Sequence, residues 1–328
     1  MEELPAYPPS GQGEHVFVHF EKTSVTTRQA VARIATALRV DVRSAGVAGQ
    51  KDKHAVTTQW ASFTGTTPEA AASLDLPSIR VLAAIRHTNK LRTGHLRGNR
   101  FELRLRGTDR AEIVTEILTQ LSRIGVPNYY GEQRFGVDER NYERALAFVT
   151  GRSAPPRDHF QRKLLFSALQ SALFNTWLAQ RIQLGLFEQP ILGDILRKED
   201  SGGLFTNVDQ ADAVRRMQAW EVSPTGPMYG SEMRMPEADA LAHETAVLAN
   251  AGLSLDALGR HAKLGEGTRR SARVRPHAWE VCAEQDSVHI AFELPKGAYA
   301  TAVMREVTKE EPEGPPEAAG APTEKRHD

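Results

Sequence analysis

Residues 45–60 read AGVAGQKDKHAVTTQW, in which the charged run KDKH at 51–54 separates apolar residues 45–48 from a second apolar-rich stretch at 55–63. A charged break of this length between two apolar runs predicts a loop between two strands. Functional residues concentrate on such loops, and cations on both sides would keep the carboxylate of Asp52 ionised even where it is partly buried. This motif alone is compatible with a catalytic carboxylate and with an ordinary solvated turn.

Periodic apolar patterns surround this loop. Apolar residues occupy both faces of a strand predicted over 16–20, and one of the threonines at 26–27 would cap a helix whose apolar stripe runs through 31–38. A second strand, with one charged face, is predicted over 101–106, and a helix with one apolar face over 113–124. The first part of the chain therefore alternates predicted strands and helices, as an α/β region does.

The middle of the chain has a different pattern. Helices are predicted over residues 141–149, 159–184, 210–220 and 238–262. Strands return near Arg273, and residues 288–294 alternate again. We therefore predict an α/β (α+β) core built from both ends of the chain and interrupted by a helix-rich insertion. The predicted parts are a first core segment at 1–124, the insertion at 125–272, a second core segment at 273–308, and a disordered tail at 309–328 that is rich in Glu, Pro, Ala and Gly.

Composition excludes several classes of protein. Hydrophobic residues make up 40% and charged residues 25% of the 328 residues, which is typical of a globular chain rather than a fibrous or disordered one. The single cysteine, Cys282, excludes an intrachain disulfide and any multi-cysteine metal site. No signal peptide and no apolar run of roughly 20 residues is present. We expect a cytoplasmic protein that does not contact a membrane.

Common cofactor motifs fail at identifiable positions. His243-Glu244 begins like a zinc-protease helix, but Val247 stands where the second histidine is needed. Gly11 and Gly13 are followed by Val16 in place of the third glycine of a dinucleotide-binding loop. The sequence also lacks a phosphate-binding Walker loop and a nucleophile-elbow serine. We predict no metal and no cofactor.

Local charge suggests a polyanionic partner, although Lys+Arg and Asp+Glu both total 41. One basic stripe consists of Arg80, Arg86, Lys90, Arg92, Arg97, Arg100, Arg104 and Arg106, against the single acid Glu102. A second cluster consists of Arg260, His261, Lys263, Arg269, Arg270, Arg273 and Arg275. Aromatic residues that could stack on unpaired bases are Phe101, Tyr129, Tyr130 and Phe135. Each feature has an ordinary alternative, a solvated charged face or a core aromatic.

Four motifs in order along the chain resemble the TruD family of tRNA pseudouridine synthases. They are the stretch 45–60 quoted above, GNRF at 98–101, VPNYYGEQRFG at 126–136, and LPKGAYAT at 294–301 with Arg305-Glu306. The predicted insertion also falls where this family carries its own. The resemblance implies a pseudouridine synthase core with a mainly antiparallel mixed sheet and a helix-rich TruD-type insertion domain.

The resemblance also implies the reaction and its residues. The substrate would be uridine 13 in the D arm of tRNA, Asp52 the catalytic nucleophile, and Lys51, Asn99 and Phe101 the substrate-binding residues, with Asn99 helping to hold Asp52 and Phe101 stacking on the target uracil. The predicted RNA contacts are Lys53, His54, Lys90, Arg92, Arg97, Arg100, Arg134, Arg269 and Arg270. An aspartate is ionised at neutral pH, so it can attack C1′ of the ribose or C6 of the base without a separate base, and both routes stay open. We expect a monomer.

Two alternatives and one departure from the family pattern accompany this prediction. A catalytically weak tRNA-binding or chaperone protein of the same fold would keep the basic patches, whereas a carboxylate glycosidase would need a second carboxylate for which no candidate stands out. In the family, an N-terminal strand motif with a basic residue and a phenylalanine precedes the glycine-rich segment at 11–15, and residues 1–3 begin at the end of that motif. We therefore expect a misplaced start codon or a weakened enzyme. Residues 129–135 could position the insertion or contact RNA directly.

Overall fold

The structure is a computed structural model, and it describes residues 1–136 and 140–309. The predicted tail therefore lies outside the described residues, apart from Lys309. The strands are β1 (Glu2–Pro5), β2 (His15–Lys22), β3 (Gly46–Val47), β4 (Thr57–Phe63), β5 (Asp75–Leu76), β6 (Ile79–His87), β7 (Leu96–Arg106), β8 (Val126–Pro127), β9 (Ile195–Lys198), β10 (Leu204–Thr206), β11 (Val222–Met228), β12 (Thr268–Ser271), β13 (Arg273–Val274), β14 (His277–Glu284) and β15 (Ser287–Pro295). The helices are α1 (Thr27–Ala37), α2 (Pro68–Ala72), α3 (Ala111–Ile124), α4 (Asn141–Val149), α5 (His159–Gln183), α6 (Gln210–Gln218), α7 (Ala238–Asn250), α8 (Leu255–Gly259) and α9 (Ala300–Thr308).

A nine-stranded sheet combines both ends of the chain in the order β14-β15-β7-β1-β4-β2-β6-β5, with β3 paired to β4. All of its pairs are antiparallel except β1 with β4. Strand β7, the third in this order, pairs with β15 from Gly98↔Pro295 to Arg106↔Ser287. A Cβ added at Gly98 would lie 2.2 Å from the carbonyl oxygen of Leu294, so only glycine fits at this point. The predicted mixed, mainly antiparallel fold is confirmed.

Two apolar clusters cover one face of this sheet. One lies under α1 and includes Val18, Phe20, Ile34, Ala61 and Phe63. The other lies under α3 and α9 and includes Leu118, Ile290, Phe292 and Val303. Helix α1 begins where it was predicted, because Thr26 and Gln29 form a reciprocal capping box. The two clusters leave the middle of the sheet, around β1 and the start of β7, to polar side chains.

Residues 125–272, which we call the insertion, contain the predicted helices α4, α5 and α6 but also a four-stranded sheet in the order β10-β9-β11-β12. The sequence did not predict this sheet, so the expectation of a mostly helical region was only partly right. The helix predicted over 238–262 ends at Asn250, because Gly252 takes a left-handed conformation (φ +67°) and a separate short helix follows.

The chain enters and leaves the insertion through one antiparallel pair, in which Val126 of β8 faces Val274 of β13 and Pro127 faces Arg273. We call this pair the neck. It lies next to the predicted boundaries at 124/125 and 272/273, which stay a prediction. None of the helices in the described ranges combines the length and apolarity needed to cross a membrane.

Candidate active site

Asp52 lies on the exposed loop between β3 and β4, as predicted. Its Oδ1 accepts a hydrogen bond from the backbone N–H of His54 at 2.9 Å. An aspartate that caps its own loop in this way fixes the backbone of the turn while its carboxylate stays at the surface. The side chain is therefore accessible to a large substrate and held in one local geometry.

Lys51, the residue before it, points in the opposite direction. Its ammonium lies 2.6 Å from Oδ1 of Asn99 and 2.9 Å from Oε2 of Glu3, and only 3% of its side chain is exposed. Its backbone N–H also donates to Oγ1 of Thr27 at the start of α1, at 2.9 Å. The structure thus brings together Lys51 and Asn99 from the predicted substrate-binding set. The side chain of Asn99 contacts that of Lys51, which is the residue before Asp52.

Glu3 is the partner that the sequence did not reveal. Its side chain is 1% exposed, and its second oxygen accepts a hydrogen bond from the backbone N–H of Trp60 at 3.1 Å. Glu3 lies opposite Asn99 in the pairing of β1 with β7, which is why both side chains reach the same ammonium. The pattern Glu2-Glu3-Leu4-Pro5 shows no alternation, so neither a strand nor a buried acid was predicted there.

A second buried lysine supports the loop from another strand. Lys22, at the end of β2, is fully buried, and its ammonium donates to the backbone carbonyl of Asp52 at 2.6 Å. Burial lowers the pKa of Lys22, and the nearby carboxylate of Asp52 acts in the opposite direction. Asp52 is therefore fixed at its carbonyl by Lys22 and through its neighbour Lys51. No local pattern distinguished Lys22, because a lysine after Glu21 at the end of a strand looks like an ordinary exposed charge.

These groups share one face of the sheet. Lys22 pairs with Thr57, Glu3 pairs with Asn99, and Gln59 follows Thr57 by two residues, so all five point to the helical side. We call them the polar seam. All five are buried, and Oγ1 of Thr57 and Nε2 of Gln59 have no hydrogen-bond partner among the described residues. Buried polar atoms without a protein partner are uncommon, and in a sheet of this kind they can bind water or a ligand.

Phe101 lies on the same face, two residues beyond Asn99 on β7. It is half-buried, and its ring centroid lies 5.6 Å from that of Phe292 in the cluster under α3 and α9. Phe101 therefore packs in the core and is also the aromatic ring next to the polar seam on β7.

Half of the predicted basic stripe is compensated by acids on neighbouring strands, including Arg80, which pairs with Glu21 of β2. Arg100 pairs with Glu280 at 3.2 Å, Arg104 pairs with Glu284 at 2.9 Å, and Arg97 pairs with Glu293 at 3.3 Å. Counting charge along one segment missed these acids because they come from β2, β14 and β15. Of the other predicted contacts in the core, Lys53, His54 and Arg92 are exposed, and Lys90 is partly exposed and donates to the carbonyl of Arg43 at 3.1 Å.

The second basic cluster is mostly internal. Arg269 is 1% exposed and pairs with Glu244 at 2.6 Å inside the insertion, so its prediction as an RNA contact is not supported by its position. Arg273 is buried too, with its guanidinium 3.9 Å from the centroid of Trp220, and burial lowers its pKa to about 10. Arg270 is partly exposed beside the neck.

The third motif, residues 126–136, makes architectural contacts. Asn128 donates to the carbonyl of Ser271 in β12 at 2.9 Å. The side chain of Asn175 in α5 bonds both the backbone N–H and the carbonyl of Tyr130, at 2.9 and 3.0 Å. Tyr129 and Tyr130 pack against the core of the insertion. These contacts favour the prediction that the motif positions the insertion.

Comparison with known proteins places this arrangement in a family. The model of the family described as tRNA pseudouridine synthase D (TruD) matches residues 1–152 and 141–307. A protein named tRNA pseudouridine synthase D from Anaeromyxobacter dehalogenans (strain 2CP-1) is 47% identical over 325 residues, covering 97% of this chain and 92% of the relative. One of the same name from Thermus thermophilus is 41% identical over 330 residues, covering 98% and 89%. The chain belongs to the tRNA pseudouridine synthase D family.

The fold agrees with this assignment. A crystal structure of a putative tRNA pseudouridine synthase D (TruD) from Methanosarcina mazei matches with a TM-score of 0.74, covering 94% of this chain and 91% of that one. At 21% identity this likeness shows the fold alone. The family resemblance read from four motifs is confirmed. In this member of the TruD family, the loop of the first motif rests on the polar seam of the sheet.

Proposed function

We propose that the protein isomerises uridine to pseudouridine in tRNA, at uridine 13 of the D arm, with Asp52 as the nucleophile. The observation that carries the proposal is the position of Asp52, whose carboxylate is exposed while Lys22 and Lys51 hold its loop from inside the sheet. Membership of the tRNA pseudouridine synthase D family supports the reaction class.

The reaction breaks the bond between N1 of uracil and C1′ and forms a bond between C5 and C1′. A proton leaves C5, and N1 gains one, so no atom or electron is supplied from outside. A carboxylate that attacks C1′ or C6 would form a temporary ester or adduct that is released when the new bond forms. The two buried lysines keep Asp52 in place for this step, and pre-set geometry of this kind supplies much of an enzyme's rate.

The target uridine has to leave its stack before Asp52 reaches it. We propose that Phe101 stacks on the extruded uracil, because its half-buried ring follows Asn99 on the face that carries the polar seam. Lys53, His54, Lys90, Arg92 and Arg97 have side chains that remain at least partly exposed, and we propose that they contact the RNA backbone. Arg100, with 23% of its side chain exposed beside Glu280, would contribute less.

The test is position-resolved pseudouridine mapping of total tRNA, with and without the protein. We expect one converted uridine, at position 13, and a loss of conversion on the order of 10⁴-fold in Asp52→Asn with tRNA binding kept. Asp75→Asn, which changes an exposed aspartate on β5, is the matched control. If the wild-type protein binds tRNA but converts no uridine, the proposal fails and the binding or chaperone alternative replaces it.

A further inference from the structure

Two arginines approach one tyrosine ring where the insertion meets the core. The guanidinium of Arg270 lies 3.9 Å from the ring centroid of Tyr130, and that of Arg134 lies 5.4 Å from the same centroid. Both side chains are partly exposed. Two like charges this close repel each other, and burial at their site increases the repulsion.

Their hydrogen bonds go to neutral atoms. Arg134 donates to the hydroxyls of Ser167 and Ser171, one helical turn apart on α5. Arg270 donates to the backbone carbonyl of Asn128 at 3.0 Å, to its side-chain oxygen at 2.6 Å, and to the carbonyl of Gly297 at 3.1 Å. Within residues 1–136 and 140–309, no carboxylate forms an ion pair with either of them.

The contrast with other arginines of the insertion is clear. Arg181 and Arg269 are both 1% exposed, and each has a carboxylate at 2.6 Å, from Asp194 and Glu244 respectively. Burial lowers the pKa of Arg270, and the positive charge of Arg134 acts in the same direction. Arg181 and Arg269 are therefore compensated by carboxylates, whereas buried Arg273 donates to a serine and to backbone carbonyls. Arg134 and Arg270 differ from all three because they are partly exposed and also have no counter-charge from the described part of the chain.

We propose that Arg134 and Arg270 together bind one phosphate group of the RNA backbone. The hydrogen bonds of this pair use Nε and Nη2 of each guanidinium, and none among the described residues uses Nη1 of either one, so the two Nη1 groups can each donate to an oxygen of one phosphate. The inference rests on the proposed function, because it takes tRNA as the source of the phosphate.

The position of the pair gives this contact a consequence for the active site. Arg270 holds the carbonyl of Gly297, in the loop that follows β15, and Pro295 at the end of β15 pairs with Gly98 beside Asn99. A phosphate bound there would fix the position of the RNA backbone relative to β7, the strand that carries Asn99 and Phe101. The contact would thus fix where the target nucleotide lies relative to Asp52.

The test measures tRNA affinity as a function of salt for Arg134→Gln. Loss of one phosphate contact should weaken binding about tenfold at moderate salt and reduce the slope of log K against log salt by about 0.9. Arg134→Lys keeps the charge, so most of the slope should remain. Arg104→Gln is the matched control, because Arg104 is exposed and already paired with Glu284, and its slope should stay at the wild-type value.

Three outcomes decide the matter. An unchanged slope in folded Arg134→Gln, checked by thermal unfolding, overturns the inference, and Arg134 is used because Arg270→Gln would also remove the bonds to Asn128 and Gly297. If inorganic phosphate at constant ionic strength stabilises the wild type but not Arg134→Gln, while the tRNA slopes agree, the site binds free phosphate and tRNA is the wrong source. If the slope falls but the wild type converts no uridine, the phosphate site stands and the proposed function fails.

Discussion

Buried charges occur in two regions of this molecule, and the polar groups around them are paired differently in each region. In the insertion, Arg269 and Arg181 pair with carboxylates at 2.6 Å and use their remaining donors on backbone carbonyls such as those of Thr225 and Leu186. In the nine-stranded sheet, Lys51 pairs with Glu3 at 2.9 Å, but polar atoms around the pair lack partners among the described residues, and the next residue is exposed Asp52.

Whether the partners of a buried charge are matched separates charges that hold the fold together from charges that support a site. In a closed network the donors and acceptors of the charged groups themselves are matched, and the network holds elements together. The pairs Arg269–Glu244 and Arg181–Asp194 meet this description, although both ring nitrogens of His243 in the same region lack partners among the described residues. An open network beside an exposed reactive group holds a site. Variants that disturb one network and spare the other test this distinction.

The largest effect on stability should come from the closed network. Glu244→Ala leaves the guanidinium of Arg269 buried without its counter-charge, which should lower the free energy of unfolding by about 3–5 kcal/mol. Chemical denaturation measures the loss, and Glu221→Ala, in the exposed pair with Arg216, should change stability by at most about 1 kcal/mol. Pseudouridylation per folded molecule should stay at the wild-type level. If Glu244→Ala instead showed a large fall in activity with unaltered stability, the distinction between closed and open networks would be wrong.

The next effect should appear in activity rather than stability. Glu3→Gln keeps the acceptor for the N–H of Trp60 but removes the charge that holds Lys51, and the resulting displacement of Asp52 should lower the conversion rate about 10²-fold. The dissociation constant for tRNA should not change.

A double variant separates the two roles of the Glu3–Lys51 pair. Glu3→Gln/Lys51→Met removes both buried charges, so it should be more stable than Glu3→Gln alone. It should remain as slow as Glu3→Gln, because Asp52 still lacks its support. Recovery of activity together with stability would mean that the pair is architecture, like those of the insertion.

A smaller effect is expected at Phe101, which belongs to both core and site. Phe101→Leu retains most of the apolar volume, so stability should fall by less than about 1.5 kcal/mol. Loss of stacking on the flipped base should reduce the conversion rate about tenfold, a value within the range for base–aromatic contacts. Phe292→Leu, at the ring that faces it across the strands, is the control and should change stability alone.

The smallest effect is a pH dependence that belongs to the insertion. Burial, and then the charge of Arg181, lower the pKa of His243 from its ordinary 6.5. Below about pH 6.5 the unfolded chain therefore takes up a proton that the folded chain does not, and stability falls. His243→Asn should reduce the drop in unfolding midpoint between pH 7.5 and pH 5.5 without altering the pH profile of conversion. An altered profile would connect the insertion to Asp52 electrostatically.

Local patterns predicted much of the sheet, but not its central strand. Strands β2 and β7 and the cap of α1 follow from alternation and a threonine before a helical stripe. Strand β1 contains two acids and a proline in four residues, and it forms because β4 and β7 supply partners on both sides. Strand β11 was missed for a related reason, since its two prolines and Gly226 argue against a central strand until Trp177 fills the space above the glycine.

The site shows the same limit. Asp52 was predicted because motif order along the chain identifies the family, whereas Glu3 and Lys22 carry no local signal and gain their roles from the pairing of distant strands. Charge counting along the sequence overestimated the basic surface for the same reason. The ion pairs Arg269–Glu244 and Arg104–Glu284 form only when the chain folds, because the partners are far apart in sequence.

The neck between β8 and β13 also bears on the order of folding. Pairing of β7 with β15, as at Arg100↔Glu293, requires closure of a very long loop. Once the insertion is folded, its two ends already lie side by side at Val126 and Val274, so the effective loop shrinks from about 190 residues to about 45, which lowers the entropic cost of closure by about 1.3 kcal/mol. A folded insertion thus holds the two core segments of the chain close together during folding. Strand β7, which carries Asn99 and Phe101, should therefore pair with β15 fastest in chains whose insertion has folded first.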